Sequence, residues 1–231
     1  LSAMSQSAQT IPAVVEFYDI AGLVKGANKG EGLGNQFLSH IREVSAIVEV
    51  LRVFKDPEII HVENTVDPCR DLEIIDIELK LKDEESKEKT NLLSAKKKIY
   101  LLNGDANDID EKLKNRIAQE SSAYVAADLS KNPDLADLIK ETYKILNLIS
   151  FFTTGEKESR AWTITRGFKA PSAAGVIHSD FENKFIRADV VNWARLVEAG
   201  SWLKAKNKGL VKTEGREYVV QEGDVMLFRH S

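Results

Sequence analysis

Residues 13–19 read AVVEFYD, a β-favouring run that ends in an acid and opens at once into the glycine-dense stretch 19–35, DIAGLVKGANKGEGLGN. The stretch NQFLSHIREV that follows has helical texture, and residues 46–54, AIVEVLRVF, return to a strand. A strand, loop, helix, strand unit restricts the fold sharply, because strands joined through a helix run parallel and need apolar cover on both faces. Residues 98–103 (KIYLLN) and 122–128 (SAYVAAD) predict two further strands, with a helix over 109–119 between them. Apolar strands alternating with helices indicate a parallel sheet in an α/β domain.

Two longer segments fill out this part. Residues 72–89, LEIIDIELKLKDEESKEK, start apolar and turn almost wholly charged, which predicts a helix whose second half stands in solvent. Residues 134–152 carry Leu135, Leu138, Ile139, Tyr143, Leu146 and Ile149 at helical spacing, with Asn132 or Asp134 as cap. After TTGEKES the texture changes to short strands and turns, with a short helix at NWARLVEAG and a closing strand after the EGD turn. Charge changes with it: residues 148–231 hold 13 basic and 10 acidic side chains, whereas the whole chain carries a net charge of −4. Two modules are therefore expected, 1–147 and 148–231, the second a compact α+β domain.

Composition narrows the function. No run of eighteen uncharged apolar residues occurs and no basic segment followed by an apolar block stands at the start, so neither a membrane span nor a secretory leader is expected, and the expected location is the cytoplasm. Cys69, the one cysteine, forms no internal disulfide, and the four histidines, His40, His61, His178 and His230, are too dispersed for a metal motif.

The glycine loop raises the question of phosphate. Loops that cradle phosphate turn backbone N–H groups inward and add a lysine and a Ser/Thr, in the pattern G-x-x-x-x-G-K-[ST]. The 231 residues contain neither that pattern nor G-x-G-x-x-G. What the loop fits is D-x-x-G, Asp19 to Gly22, as in the switch of guanine-nucleotide-binding proteins. There Asp19 would hold magnesium, usually through water, and the Gly22 amide would contact the terminal phosphate. Farther on, residues 202–216 hold Lys204, Lys206, Lys208, Lys212 and Arg216 against one acid, with Trp193 and Trp202 nearby, a composition suited either to RNA phosphates and bases or to a solvated loop over a small core.

The blocks VEFYDIAGLVKGANKGEGLGNQFLSHIREVSAIVEVLRVF and EIIHVENTVDPCRDLEIIDIEL resemble the switch region of Obg-like ATPases of the YchF subfamily, translation-factor-class P-loop NTPases. LISFFTTGEKESRAWTITRGFKAPSAAGVIHSDFENKFIRADVV and EGREYVVQEGDVMLFR resemble that subfamily's C-terminal TGS domain. The resemblance implies a parallel-sheet nucleotide-binding domain, a coiled-coil insertion and a β-grasp TGS domain. It also implies cytoplasmic, magnesium-dependent ATP and less often GTP hydrolysis connected with ribosomes. Leu23 matches the hydrophobic residue that these proteins carry in place of the water-positioning glutamine. Since leucine cannot orient water by hydrogen bonding, slow turnover is expected.

Three departures from the family pattern qualify this. The family's first strand, phosphate loop and first switch precede the segment that matches residue 13, so their lysine is not among these residues and weak phosphate affinity is expected. Their strand would lie between residues 13–19 and 46–54, and two apolar edges are expected without it. The coiled coil is reduced to a stub near 72–94. In the base-reading Asn-x-x-Glu motif Asn103 and Gly104 match, but Ala106 takes the acid position, with Asp105 and Asp108 as stand-ins. Two functions follow: a nucleotide-binding ATPase or GTPase linked to ribosomes, or a catalytically silent RNA or ribosome adaptor working through the TGS domain.

Overall fold

The computed structural model describes residues 1–19, 41–85, 90–120 and 122–231. They form two compact units: residues 17–146 make one, and residues 1–16 together with 147–231 make the other. The glycine loop and most of the helix expected after it lie outside the described residues, as do residues 86–89 of the charged stretch.

In the first unit, strands β2 (Ala46–Arg52), β3 (Lys97–Asn103) and β4 (Ala123–Ala127) pair in parallel in the order β2-β3-β4. Central β3 is buried over Lys98 to Leu102, as a strand covered on both faces must be. One face packs Tyr100 and Leu102 with Leu51, Val53, Leu72, Leu113 and Ile117, brought by α2 (Pro68–Glu85) and α3 (Glu111–Gln119). The other packs Ile99 and Leu101 with Leu138 of α4 (Ala136–Ile145). Each fully buried Leu or Ile contributes roughly 1.5–3 kcal/mol. Asp110 caps α3 by accepting the Leu113 N–H at 2.7 Å. Within the described sheet β2 is an edge strand, and Val50 on it is 54% exposed.

The second unit is a mixed sheet. β5 (Leu148–Thr154) and β6 (Glu158–Thr165) form an antiparallel hairpin, and β9 (Asp224–His230) lies parallel beside β5 and antiparallel to β7 (Phe185–Asn192). Helices α5 (Ala170–Ile177) and α6 (Ser179–Asn183) belong to the covering of one face, where Ala170, Ala173 and Ala174 are fully buried. Small side chains let α5 approach the strands closely, and Pro171 suits its first turn, where an N–H would have no partner. The other face carries α7 (Trp193–Ala199) and α8 (Trp202–Asn207), packed through Leu196, Ala199 and Ala205 onto Val191 and Val225. Strand β8 (Lys212–Glu214) pairs with β7 at one edge.

Three expectations are corrected. Residues 13–19 form no strand: Val14 is 67% and Tyr18 68% exposed, Pro12 lacks a donor, and the run has no ladder partner among the described residues. Second, the helix expected over 134–152 ends at Ile145, because Asn147 takes a left-handed φ of 55° and β5 begins at Leu148. Third, GFKAPSAAGVIHSDF is largely helical. Residues 1–16, expected with the N-terminal module, group with 147–231. There α1 (Ser2–Ser5) contributes Leu1 and Met4 to the α7–α8 core, and β1 (Gln9–Ile11) pairs in parallel with β6, Gln9 opposite Glu158 and Ile11 opposite Arg160. Ala8 N–H donates to the Glu156 carbonyl at 2.9 Å, and Ser7 Oγ to the Gly155 carbonyl at 2.7 Å.

Candidate functional site

The three parallel strands end level with one another: Arg52 pairs with Asn103, and Asn103 with Ala127. Ligands of open α/β sheets gather at this carboxyl rim, where strand ends and following turns present free polar groups. Asn103 stands at its centre. Its side-chain Oδ1 accepts the Leu129 N–H from the turn after β4 at 3.0 Å, and its carbonyl accepts the Val53 N–H from the end of β2 at 3.0 Å. Gly104 N–H donates to the Ala127 carbonyl at 3.2 Å. Glycine is required there: φ is +150°, and a Cβ would stand 2.7 Å from Val53 Cγ2 and 3.1 Å from Phe54 N.

The two stand-in acids are not equally placed to serve a ligand. Asp105 Oδ1 already accepts the Asn107 backbone N–H at 2.9 Å and its Nδ2 at 2.7 Å, which closes the turn over Ala106 and Asp108. Asp108 is exposed on that turn. A third acid, Asp128, directly follows β4; Lys131 at 2.7 Å and the Ser130 hydroxyl hold its carboxyl below the usual aspartate range.

Arg52 organises the neighbouring exit. Its guanidinium donates to the Phe54, Ile59 and Asp56 carbonyls at 3.1, 2.9 and 3.1 Å and lies 4.4 Å from the Phe54 ring centroid. Five donors in a fixed fork suit arginine to such a triple clasp. Sequence reasoning missed Arg52 and Asp128. An Arg two residues before an aromatic at a strand's end, and an acid closing a strand level with Asn103, were the signals present.

Of the residues expected to meet the phosphates, Asp19 is exposed and outside any strand. Gly22 and Leu23 lie outside the described residues. Among the described residues no hydrogen bond joins Asp19 to Asn103, and no group of three or more potential metal ligands occurs. The basic residues of the C-terminal unit fall on consecutive segments of the chain. Lys204 and Lys206 lie on α8, Lys208 follows it and Lys212 opens β8, all four exposed and without an ion pair to a described residue. Arg216 instead donates to the Phe185 carbonyl at 2.9 Å. Trp202 packs into the α7–α8 core, while Trp193 is 48% exposed.

Comparison with known proteins identifies relatives of the chain. Residues 148–231 match the family model YchF-GTPase_C, described as a protein of unknown function (DUF933). The chain is 35% identical to the ribosome-binding ATPase YchF of Bacillus subtilis (strain 168) over 302 positions, covering 96% of this chain and 82% of that protein. It is 34% identical to Obg-like ATPase 1 of Gallus gallus, covering 95% of this chain and 76% of the relative. Both alignments are longer than the chain itself, so the relatives carry residues inside the matched span that this chain lacks. Among solved structures, the Schizosaccharomyces pombe YchF GTPase superposes with a TM-score of 0.82 at 31% identity, covering 99% of this chain and 83% of that one. With relatives this similar over most of their length, the chain belongs to the YchF family of Obg-like ATPases.

Proposed function

We propose that the chain binds a nucleoside triphosphate at the carboxyl rim of β2–β4, hydrolyses it slowly and associates with ribosomes. The observation that carries the reading is the clasp at Asn103: one side chain ties the exit of β3 to the turn after β4, and Gly104 lets the β2 exit pass within van der Waals distance. This fixed geometry supports Asn103 and Gly104 as the groups that would read a base. Asp19 would serve magnesium through water and the Gly22 amide the terminal phosphate. An exposed carboxylate offers the hard oxygen donor that this ion takes alongside phosphate oxygens and water. When bound, the ion would offset charge on the outer phosphates. Leu23 cannot hydrogen-bond water, so turnover would be slow.

Relatives named for ribosome binding support the partner. Lys204, Lys206, Lys208 and Lys212, exposed and unpaired among the described residues, would contact ribosomal RNA phosphates. Calorimetric titration with ATP and with GTP, magnesium present, tests the nucleotide reading. Saturable heat is expected with at least one of them, weakened about tenfold or more by Asn103→Ala, in line with loss of a site hydrogen bond and its clasp. An absence of heat at millimolar nucleotide would leave the adaptor reading instead.

A further inference from the structure

At the opposite, amino end of the parallel strands lies a second cleft, of about 550 Å³, within the size range of small-molecule sites. Its walls come from α2, the start of β3, α3 and the end of α4. Part of its charge is internally matched. Lys98 Nζ lies 2.9 Å from Glu49 Oε1 and 2.5 Å from Asp76 Oδ1, and Arg116 lies 3.1 Å from Asp76 Oδ2 and 2.5 Å from Glu120 Oε1.

The remaining cations are not neutralised. Lys96 Nζ donates to the Arg42 and Val44 carbonyls, each at 2.9 Å, and Lys97 Nζ to the Ile145 carbonyl at 2.7 Å. Carbonyls hold an ammonium in place without cancelling its charge, and each lysine keeps donor capacity. Lys80, on the α2 wall, is exposed and has no ion pair with a described residue. Five cations against the carboxylates of Glu49, Asp76 and Glu120 leave an excess of two positive charges, in a chain whose net charge is −4.

We propose that this cleft binds a phosphate monoester with an uncharged polar body. The excess matches one phosphate dianion, and ammonium groups bind phosphate as point charges. Asp76 and Glu120 in the same cleft disfavour a ligand that is anionic throughout, which separates this site from one for polyphosphates or RNA. It uses none of the residues assigned to the nucleotide, so the two readings stand or fall separately.

Glycerol 3-phosphate is the probe, titrated to about 10 mM into the full chain while backbone amide resonances are followed, a range that captures millimolar affinity. Saturable shifts are expected at Ser94, Lys96 and Lys97, with Asn103 and Gly104 unmoved and glycerol without effect. Inorganic phosphate is expected to move the same amides. Lys80→Glu, an exposed substitution, and Lys97→Ala are each expected to weaken binding about tenfold, while Asn103→Ala leaves it unchanged. Non-saturating shifts, equal shifts with glycerol, or indifference to both lysine variants would overturn the assignment. So would a short single-stranded RNA that moves these amides when glycerol 3-phosphate does not.

Discussion

A single missing atom fixes much of the carboxyl rim of the parallel strands. Gly104 sits where the β2 exit crosses the β3 exit, at a φ that side chains rarely adopt. In Gly104→Ala the new Cβ would overlap Val53 Cγ2, so strain of about 1–3 kcal/mol is joined by overpacking of similar size. A urea midpoint lowered accordingly, with nucleotide heat lost under conditions where the variant is still folded, is the expected outcome; an unchanged midpoint would mean that the exits do not cross so closely. Asn103 and Gly104 were legible in the sequence because the Asn-Gly pair follows an apolar strand directly. The use of Asp105 as a turn cap was not, since an aspartate bears no mark of whether its oxygens face the backbone or a ligand.

At the scale of elements, three surface-type side chains from three segments meet inside the first unit. Glu49 on β2 and Lys98 on β3 are 5% and 7% exposed, and Asp76 of α2 completes the contact. Neither Glu49 oxygen accepts a well-directed hydrogen bond from a described residue, and burial pushes its carboxyl above the usual range. Burial alone would lower Lys98, but the Glu49 and Asp76 carboxylates outweigh it and raise its pKa. Burial likewise pushes up the Tyr100 phenol, which donates to Glu120. Lys98→Met should cost about 3–5 kcal/mol by stranding a buried carboxylate, and adding Glu49→Gln should recover most of it, because a buried pair is often replaceable by neutral groups. The folded chain holds the Glu49 proton more tightly than the unfolded one, so stability falls as pH rises from about 4.5 through the raised value. Glu49→Gln should flatten that slope in denaturant titrations at several pH values. None of this was visible beforehand: strands 46–54, 98–103 and 122–128 were readable from continuous apolar runs, but a lone Glu or Lys within such a run gives no partner. The helix read too far, to residue 152, failed for a related reason. Leu146 and Ile149 extend the helical spacing, and only the turn at Asn147 ends it.

Over the whole molecule, the change in charge and texture near residue 148 is the sequence signal for a second module, and the two compact units divide between Leu146 and Asn147. The strap formed by residues 1–16 escaped notice because LSAMSQSAQT is mostly small and polar, without periodicity. Its anchorage includes Leu1 and Met4, three paired residues of β1 and the hydrogen bonds of Ser7 and Ala8. In Met4→Asp, placing a charge against that core should cost about 1–3 kcal/mol locally. Hydrogen exchange should then quicken at Ser159 and Arg160 while Ile99 to Leu102 keep their protection. Uniform quickening, or none, would show that the strap is not docked in this way.

The bond between Leu129 and Asn103 also bears on how the proposed site would read a base. The Leu129 N–H takes one Oδ1 lone pair, which leaves the amide its two Nδ2 hydrogens and one acceptor position for a ligand. Adenine and guanine both present N7 as such an acceptor. In the proposed site, a bond from Nδ2 to N7 would accept either purine, and a preference between them would come from a group that meets the base at position 6.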